Sequence, residues 1–300
     1  MLRIPSCNNL SSATNTHLAT QQADINQQSS YQTKVERAKS LWQSKESSPT
    51  KKTAFAEIKA QLKELAVAKL YCNYCEHGET YDIEHIFPKS LFPERAFQWE
   101  NYLYACKACN MGEKVDKFEV FPPVNGTTTI DIRPKRKPRI YTQPPSAASV
   151  LINPRIEDPM DFLVLDLAAG TFISQPNINA KDTIRANYTI KLIQLNEREG
   201  LVQARQNICK LLWQQLQKYA QIKQTSTLKE LQTIVPEYSF GETFQNLEQD
   251  QQNLLTNIQN TILRSTHQTV WAEMKRQRQT IPQLNDIFTQ VPEALEWALS

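Results

Sequence analysis

Two short stretches carry most of the residues in this chain that could do chemistry. The first, "LYCNYCEHGETYDIEHIFPKSLF" (residues 70–92), holds Cys72 and Cys75, then Glu84 beside His85, then Lys89. The second, "WENYLYACKACNMGEK" (residues 99–114), holds Asn101, a second cysteine pair at Cys106 and Cys109, then Asn110 and Lys114. The whole chain has four histidines and six cysteines. One region therefore gathers metal-type thiols, an acid–histidine pair and amide and ammonium groups.

Two residues separate the cysteines within each pair, and thirty lie between the pairs. A C-x-x-C knuckle lets two thiolates grip one ion, and two knuckles complete a tetrahedral four-cysteine zinc site. The first eighteen residues, "MLRIPSCNNLSSATNTHL", lack the 7–15-residue apolar core of a secretory signal. The expected compartment is the reducing cytoplasm, where paired cysteines are metal ligands more often than disulfides. Cys72, Cys75, Cys106 and Cys109 are thus expected to hold structural zinc. Such an ion contributes on the order of 10 kcal/mol to a small domain. With four thiolates at hand, His77 reads as a solvent-facing knuckle residue. His17 and His267 have no acidic or cysteine neighbours, and Cys209 in "ARQNICKLLWQQL" reads as a small buried apolar residue.

The run "YDIEHIFPKS" alternates so that a strand would place Asp82 and Glu84 on one face and His85 on the other. A strand end or bend at Glu84–His85 is needed for both to reach one site. If the second knuckle opens a helix, Asn110 and Lys114 lie one turn apart on the same face. A carboxylate and an amide oxygen are hard ligands suited to Mg²⁺ or Mn²⁺, which keep waters and bind substrate phosphate. A histidine can take a proton from water as general base, worth roughly 10²–10⁴ in rate. Lys89 and Lys114 are the candidates for holding phosphate. Base, metal and cations are the parts phosphodiester hydrolysis requires.

These motifs resemble those of the HNH endonucleases: an acid–His-x-x-Pro stretch, a central Asn, and a C-x-x-C pair followed by His or Asn. The resemblance implies a ββα-metal fold, His85 as general base, and Glu84 and Asn110 as ligands of a catalytic Mg²⁺ or Mn²⁺. It implies that Asn101 orients the loop that carries His85. The chain departs from the pattern twice: Glu stands for the more usual Asp at 84, and Lys114 follows Asn110 one residue later than usual. Further on, "LINPRIEDPMDFL" and "DTIRANYTIKLIQLNEREGLVQAR" are similar to HNH proteins encoded with retrons and Septu-type anti-phage systems. In that family the nuclease works beside an ABC/SMC-like ATPase. The match runs over about residues 54–205, and its implied substrate is nucleic acid, DNA ahead of RNA.

The elements that must position these residues follow from patterning. Ala54, Ile58, Leu62, Leu65 and Ala66 form one apolar stripe, so the cysteine region is entered from a helix ending near Leu70. "SSPTKK" separates it from an earlier helix over 31–44. After Lys117, prolines and short β-branched runs read as extended chain, with a hairpin from 163–167 and 171–174. The chain is helical again from Asp182. Asn196 and Glu199 suggest a capping box, and later helices are expected over 227–234, 242–278 with a break near His267, and 283–299. The expected fold is α+β and predominantly helical. It comprises a flexible arm (1–30), N-terminal helices (31–70), an HNH core (71–123), an extended connector (124–181) and a helical region (182–300).

Composition excludes little. A net charge of +3 and 22% charged residues do not announce a nucleic-acid binder, so that role must rest on local patches. "RPKRKPR" (133–139), five cations in seven residues, is one such patch, and also reads as a solvated loop. Six glycines in 300 residues favour helices over a turn-rich sandwich. No apolar run of about 18 residues exists, so no membrane span is expected. Against the nuclease stands a zinc-bearing nucleic-acid-binding module without catalysis, which has no need of Glu84, His85 and Asn110 together.

Overall fold

The helix over 31–44 begins where a serine can cap it. In α2 (Tyr31–Gln43), Ser30 accepts from the Thr33 amide and Thr33 reciprocates, forming a capping box. In α3 (Pro49–Leu65), Ser48 caps and Pro49 occupies the first turn, where its missing N–H costs nothing. "SSPTKK" therefore starts α3 as well as separating it from α2. The computed structural model describes residues 1–5, 7–66, 71–78, 82–123, 126–134, 139–235 and 244–298. The expected helix end near Leu70 and Tyr81 of the alternating run lie outside these.

The segment read as a flexible arm is ordered: α1 spans Ser12–Asn26, capped by Ser11. Its buried face is Thr14, Leu18, Gln22 and Ile25, so half of the stripe is polar and the hydrophobic period is hidden. Polar side chains do the docking. Gln22 accepts from the Phe97 amide and donates to the Pro93 carbonyl, while Thr14 and Ser11 bind the Glu57 carboxylate on α3. Upstream, Ile4 is buried and its amide donates to the Pro154 carbonyl, so the chain start lies extended across its unit.

The described residues divide into two units, Met1–Val164 with Phe172–Glu199, and Leu165–Thr171 with Gly200–Ser300. In the first, Leu18, Ile25, Leu41, Phe55, Ile58 and Leu62 of the three helices pack on Ile83, Phe97, Trp99 and Tyr102. Ile83 and Tyr102 belong to β1 (Asp82–His85) and β2 (Tyr102–Ala105), an antiparallel pair in the register Glu84↔Leu103 and His85↔Tyr102. Residues 108–114 follow as a π-helix. β4 (Ile130–Asp131) of the connector pairs antiparallel with β3 (Glu119–Val120) before it, and α4 (Ala180–Ile193), which opens the later helical region, belongs to the same unit. Of the basic run, 135–138 lie outside the described residues, while Arg133 pairs with Asp131 and Arg139 with Asp116.

A hairpin of β5 (Leu163–Asp166) and β6 (Thr171–Ser174) forms where the sequence places it. Gly170 closes its turn with φ +70°, and an added Cβ would meet the Val202 carbonyl at 2.6 Å. The second unit holds α5 (Glu199–Lys223) from its second residue on, α6 (Leu228–Ile234), α7 (Leu247–Leu263), α8 (Gln268–Arg276) and α9 (Pro282–Gln290). Trp271, Met274, Leu212, Leu216 and Ile262 are buried in it. His267 adopts a left-handed conformation between α7 and α8, the expected break. Asn196 does not cap α5: its amide group instead exchanges two hydrogen bonds with the Phe172 backbone. Among the described residues no helix is long and apolar enough to cross a membrane.

Candidate functional site

The first knuckle is bolted to β2. Asn73 donates its amide N–H to the Tyr104 carbonyl and accepts the Tyr104 amide on Oδ1, at 2.9 and 2.8 Å. Because β2 runs directly into Cys106, this clamp brings the two pairs together. The sulfurs of Cys72, Cys75, Cys106 and Cys109 all lie within 4.8 Å of one another, with Cys75 and Cys106 at 3.9 Å. Four ligands at the ~2.3 Å zinc–sulfur distance around a tetrahedron stand about 3.8 Å apart, so the arrangement fits zinc. All four are buried. Burial pushes the Cys72 thiol upward, and a bound zinc ion would hold it as the thiolate. Arg198 points Nη2 at Cys109 Sγ from 3.4 Å and anchors itself on the Ile193 and Gln194 carbonyls. It is a cationic donor to the cluster that no spacing in the sequence foretold. His77 is exposed, as expected.

Beside the cluster lies a cleft of about 350 Å³, lined by Glu84 and His85 of β1, by Lys89, and by Asn110, Met111 and Val115 of the π-helical segment. Trp42 of α2 and Lys45 just beyond it close the far side. β1 ends at His85, which lets neighbours on a strand share one cavity.

His85 is buried between Trp42 and Tyr102, ring centroids 4.2 and 5.3 Å away. Its Nε2 lies 3.0 Å from the Ala96 carbonyl oxygen. A carbonyl only accepts, so Nε2 carries the proton and Nδ1 holds the free lone pair. Burial first, and then the charge of Lys89, hold the imidazole well below the usual histidine range. The ring is therefore neutral, with one nitrogen able to accept a proton.

Asn101 fixes the loop after His85. It is buried, accepts the Phe87 amide on Oδ1 at 2.8 Å, and donates Nδ2 to the Phe87 and Arg95 carbonyls. These bonds draw in both ends of the loop 87–95, which contains Lys89. Lys89 lies over the Trp42 ring at 5.5 Å, and burial lowers its pKa.

Lys114 differs from expectation. It is fully buried, with Nζ 2.6 Å from Glu84 Oε1 and 2.8 Å from the His85 carbonyl oxygen. Its ammonium faces a carboxylate rather than an incoming phosphate, because a charge with no access to water needs an opposite charge beside it. The π-helix explains how it gets there. The extra residue between Asn110 and Lys114 is taken up by one wider turn, closed by the Val115 amide on the Asn110 carbonyl five residues back. The turn ends in strain: Val115, half-exposed and β-branched, sits at φ +49°.

Glu84 and Asn110 thus bring hard oxygen donors to one cleft, and the donor set fits a divalent cation, with Oε1 of Glu84 already engaged. Burial pushes the Glu84 carboxyl up, and Lys114 opposes that shift. Among the described residues, the four-cysteine group is the one cluster of three or more His, Cys, Asp or Glu side chains within reach of a single ion. Trp42 and Lys45 were not legible as site residues, since "SLWQSK" has no metal or acid–base spacing. Compared with known proteins, the chain matches no family model and no curated protein.

Proposed function

We propose that this chain is a metal-dependent endonuclease that hydrolyses phosphodiester bonds, as the resemblance to HNH proteins implies. The observation that carries the reading is the convergence of Glu84, neutral His85 and Asn110 on one cleft beside the cysteine cluster. His85 takes the proton of an attacking water on Nδ1, and the Ala96 carbonyl steadies the charge that develops on the ring. Asn101 positions the loop that follows the base, and Lys89 with Lys45 supplies positive charge for a phosphate. Glu84 and Asn110 would hold Mg²⁺ or Mn²⁺, which when bound stabilises the leaving oxygen.

The further parts of this proposal rest on the resemblance: DNA ahead of RNA as substrate, a role in anti-phage defence in the cytoplasm, and an ABC/SMC-like ATPase as partner. The second unit, which the chemistry does not require, is the surface offered for that partner. A competing reading is a zinc-bearing binding module, and the Glu84–Lys114 ion pair favours it, because that carboxylate is already neutralised.

Zinc-loaded protein incubated with plasmid, single-stranded DNA and RNA, in metal-free buffer or with Mg²⁺ or Mn²⁺, tests the choice. The nuclease reading expects cleavage only with added divalent metal, lost in Glu84→Gln and His85→Gln. Binding without cleavage by the wild type under every condition overturns it.

A further inference from the structure

The pairing of Lys114 with Glu84 bears on how a catalytic cation would enter, an inference that rests on the nuclease reading. Three observations combine. Lys114 is fully buried and its ammonium reaches Glu84 Oε1 and the His85 carbonyl. Glu84 is nearly as buried, yet it lines the cleft together with Asn110. Lys114 ends the same seven-residue π-helix that carries Asn110. The residue that neutralises the carboxylate and the amide that would share a cation with it therefore sit on one short segment.

A buried carboxylate needs one counter-charge, and two cations crowded on it repel each other strongly where water does not screen them. We propose that the Lys114 ammonium and the divalent cation are alternative counter-ions of Glu84, so that metal enters this site by displacing Lys114. Without metal, Lys114 stabilises the empty site and holds the carboxylate in place. With metal, the ammonium must leave Oε1 and move toward the cleft, where it adds positive charge beside a bound phosphate. The exchange makes apparent metal affinity weaker than the bare carboxylate–amide pair would give, because the lysine has to be released first.

The π-helical turn is the element suited to such a shift. Its turn is one residue wider than an α-helical turn, and Val115 closes it in an unfavourable conformation. A turn held in that way yields more readily than a regular helix.

Mn²⁺ titrated into zinc-loaded protein, followed by calorimetry and by thermal melting, tests the exchange without reference to cleavage. Lys114→Met should bind Mn²⁺ at least ten-fold more tightly than wild type. It should also melt well below wild type in metal-free buffer and recover on adding Mn²⁺. Lys114→Arg, which keeps the charge, should stay within a few-fold of wild type, and Glu84→Gln should abolish the binding. Should Lys114→Met fail to fold, the wild type still decides: acetylation of Lys114 by an amine-reactive ester, read by mass spectrometry, should rise several-fold with Mn²⁺.

Equal or weaker Mn²⁺ affinity in Lys114→Met overturns the exchange, as does unchanged labelling of Lys114 in the wild type, or the absence of any Glu84-dependent binding. The two readings fail separately. Glu84-dependent Mn²⁺ binding with the expected Lys114 behaviour but no cleavage leaves the exchange standing and removes the nuclease. Metal-dependent cleavage with no effect of Lys114→Met on Mn²⁺ affinity does the reverse.

Discussion

The cysteine cluster and the adjacent cleft share one stretch of chain, yet they solve opposite problems. Cys106 precedes, and Cys109 belongs to, the same π-helix that presents Asn110 to the cleft and Lys114 to Glu84. The cluster is closed: four identical donors, all buried, with no position left for a substrate. The cleft is open and its donors are unlike, a carboxylate, an imidazole and an amide, with lysines at its edge. A closed shell of four thiolates suits an ion that holds structure, and an open, mixed set suits one that exchanges ligands. The segment that brings Asn110 to the cleft and Lys114 to Glu84 thus also holds a cysteine of the cluster.

The sharpest way to break that relation is to remove the staple. Cys106→Ser, or stripping zinc with a chelator, should unfold the region around both sites, since structural zinc contributes on the order of 10 kcal/mol. Melting should collapse or lose cooperativity, and elemental analysis should show zinc lost along with activity. If zinc-free protein melted like the wild type, the cluster would not be the support of the cleft.

Removing His85, the base of the proposed nuclease, should separate the two sites instead. His85 is packed between Trp42 and Tyr102, so alanine would leave a cavity and cost stability of its own. Glutamine keeps a donor for the Ala96 carbonyl and much of the volume. His85→Gln should retain zinc while lowering cleavage by about 10²–10⁴. The buried ring also sets a pH dependence. Its folded pKa lies below the ordinary histidine value of 6.5, so the neutral form is favoured by folding. That contribution is complete above pH 6.5 and is lost as pH falls from there toward the folded value. The slope is up to about 1.4 kcal/mol per pH unit for one proton. Melting of wild type and His85→Gln, both zinc-loaded, compared from about pH 8 to about pH 5, should show the steeper loss in wild type once the pH drops below the ordinary histidine value.

How much of this was legible depended on whether spacing alone could carry the information. The four-cysteine group was legible because four like residues in two fixed-length knuckles admit few arrangements. The convergence of Glu84, His85 and Asn110 was legible in part, through the strand end and the turn after Cys109. The destination of Lys114 was not. Spacing placed it on the Asn110 side of a helix but could not say whether an ammonium there meets a phosphate or a carboxylate, which depends on burial by tertiary packing. α1 escaped because Thr14 and Gln22 occupy core-facing positions and satisfy polar groups there. The Asn196–Glu199 pattern misled because the β6 backbone at Phe172 claims the asparagine first.

Asn101 tests the positioning half of the cleft at moderate cost. Truncation to alanine strips two carbonyls and one amide of their partners in a partly buried loop. Leaving such groups unpaired costs about 1–3 kcal/mol. Asn101→Ala should therefore lower melting and cleavage together while zinc content stays at the wild-type level. A variant that melts lower but cuts at the full rate would show that the loop 87–95 is not what aligns the site.

The smallest effect should come from the joint between the two sites, and it should be a gain. Val115 closes the π-helix at φ +49° and ψ −110°, a conformation easy for glycine and strained for a β-branched residue. Such strain costs on the order of 1–3 kcal/mol, whereas a glycine introduced here gives back roughly 0.5–1 kcal/mol in unfolded-state entropy. Val115 is 49% exposed, so little apolar burial is lost with its side chain. Val115→Gly should therefore stabilise the protein by about 1 kcal/mol in chemical denaturation, with zinc stoichiometry unchanged. The sign is informative. A destabilised Val115→Gly would mean that the valine side chain holds the turn through packing, and that the strain is not stored at the residue that joins the staple to the cleft.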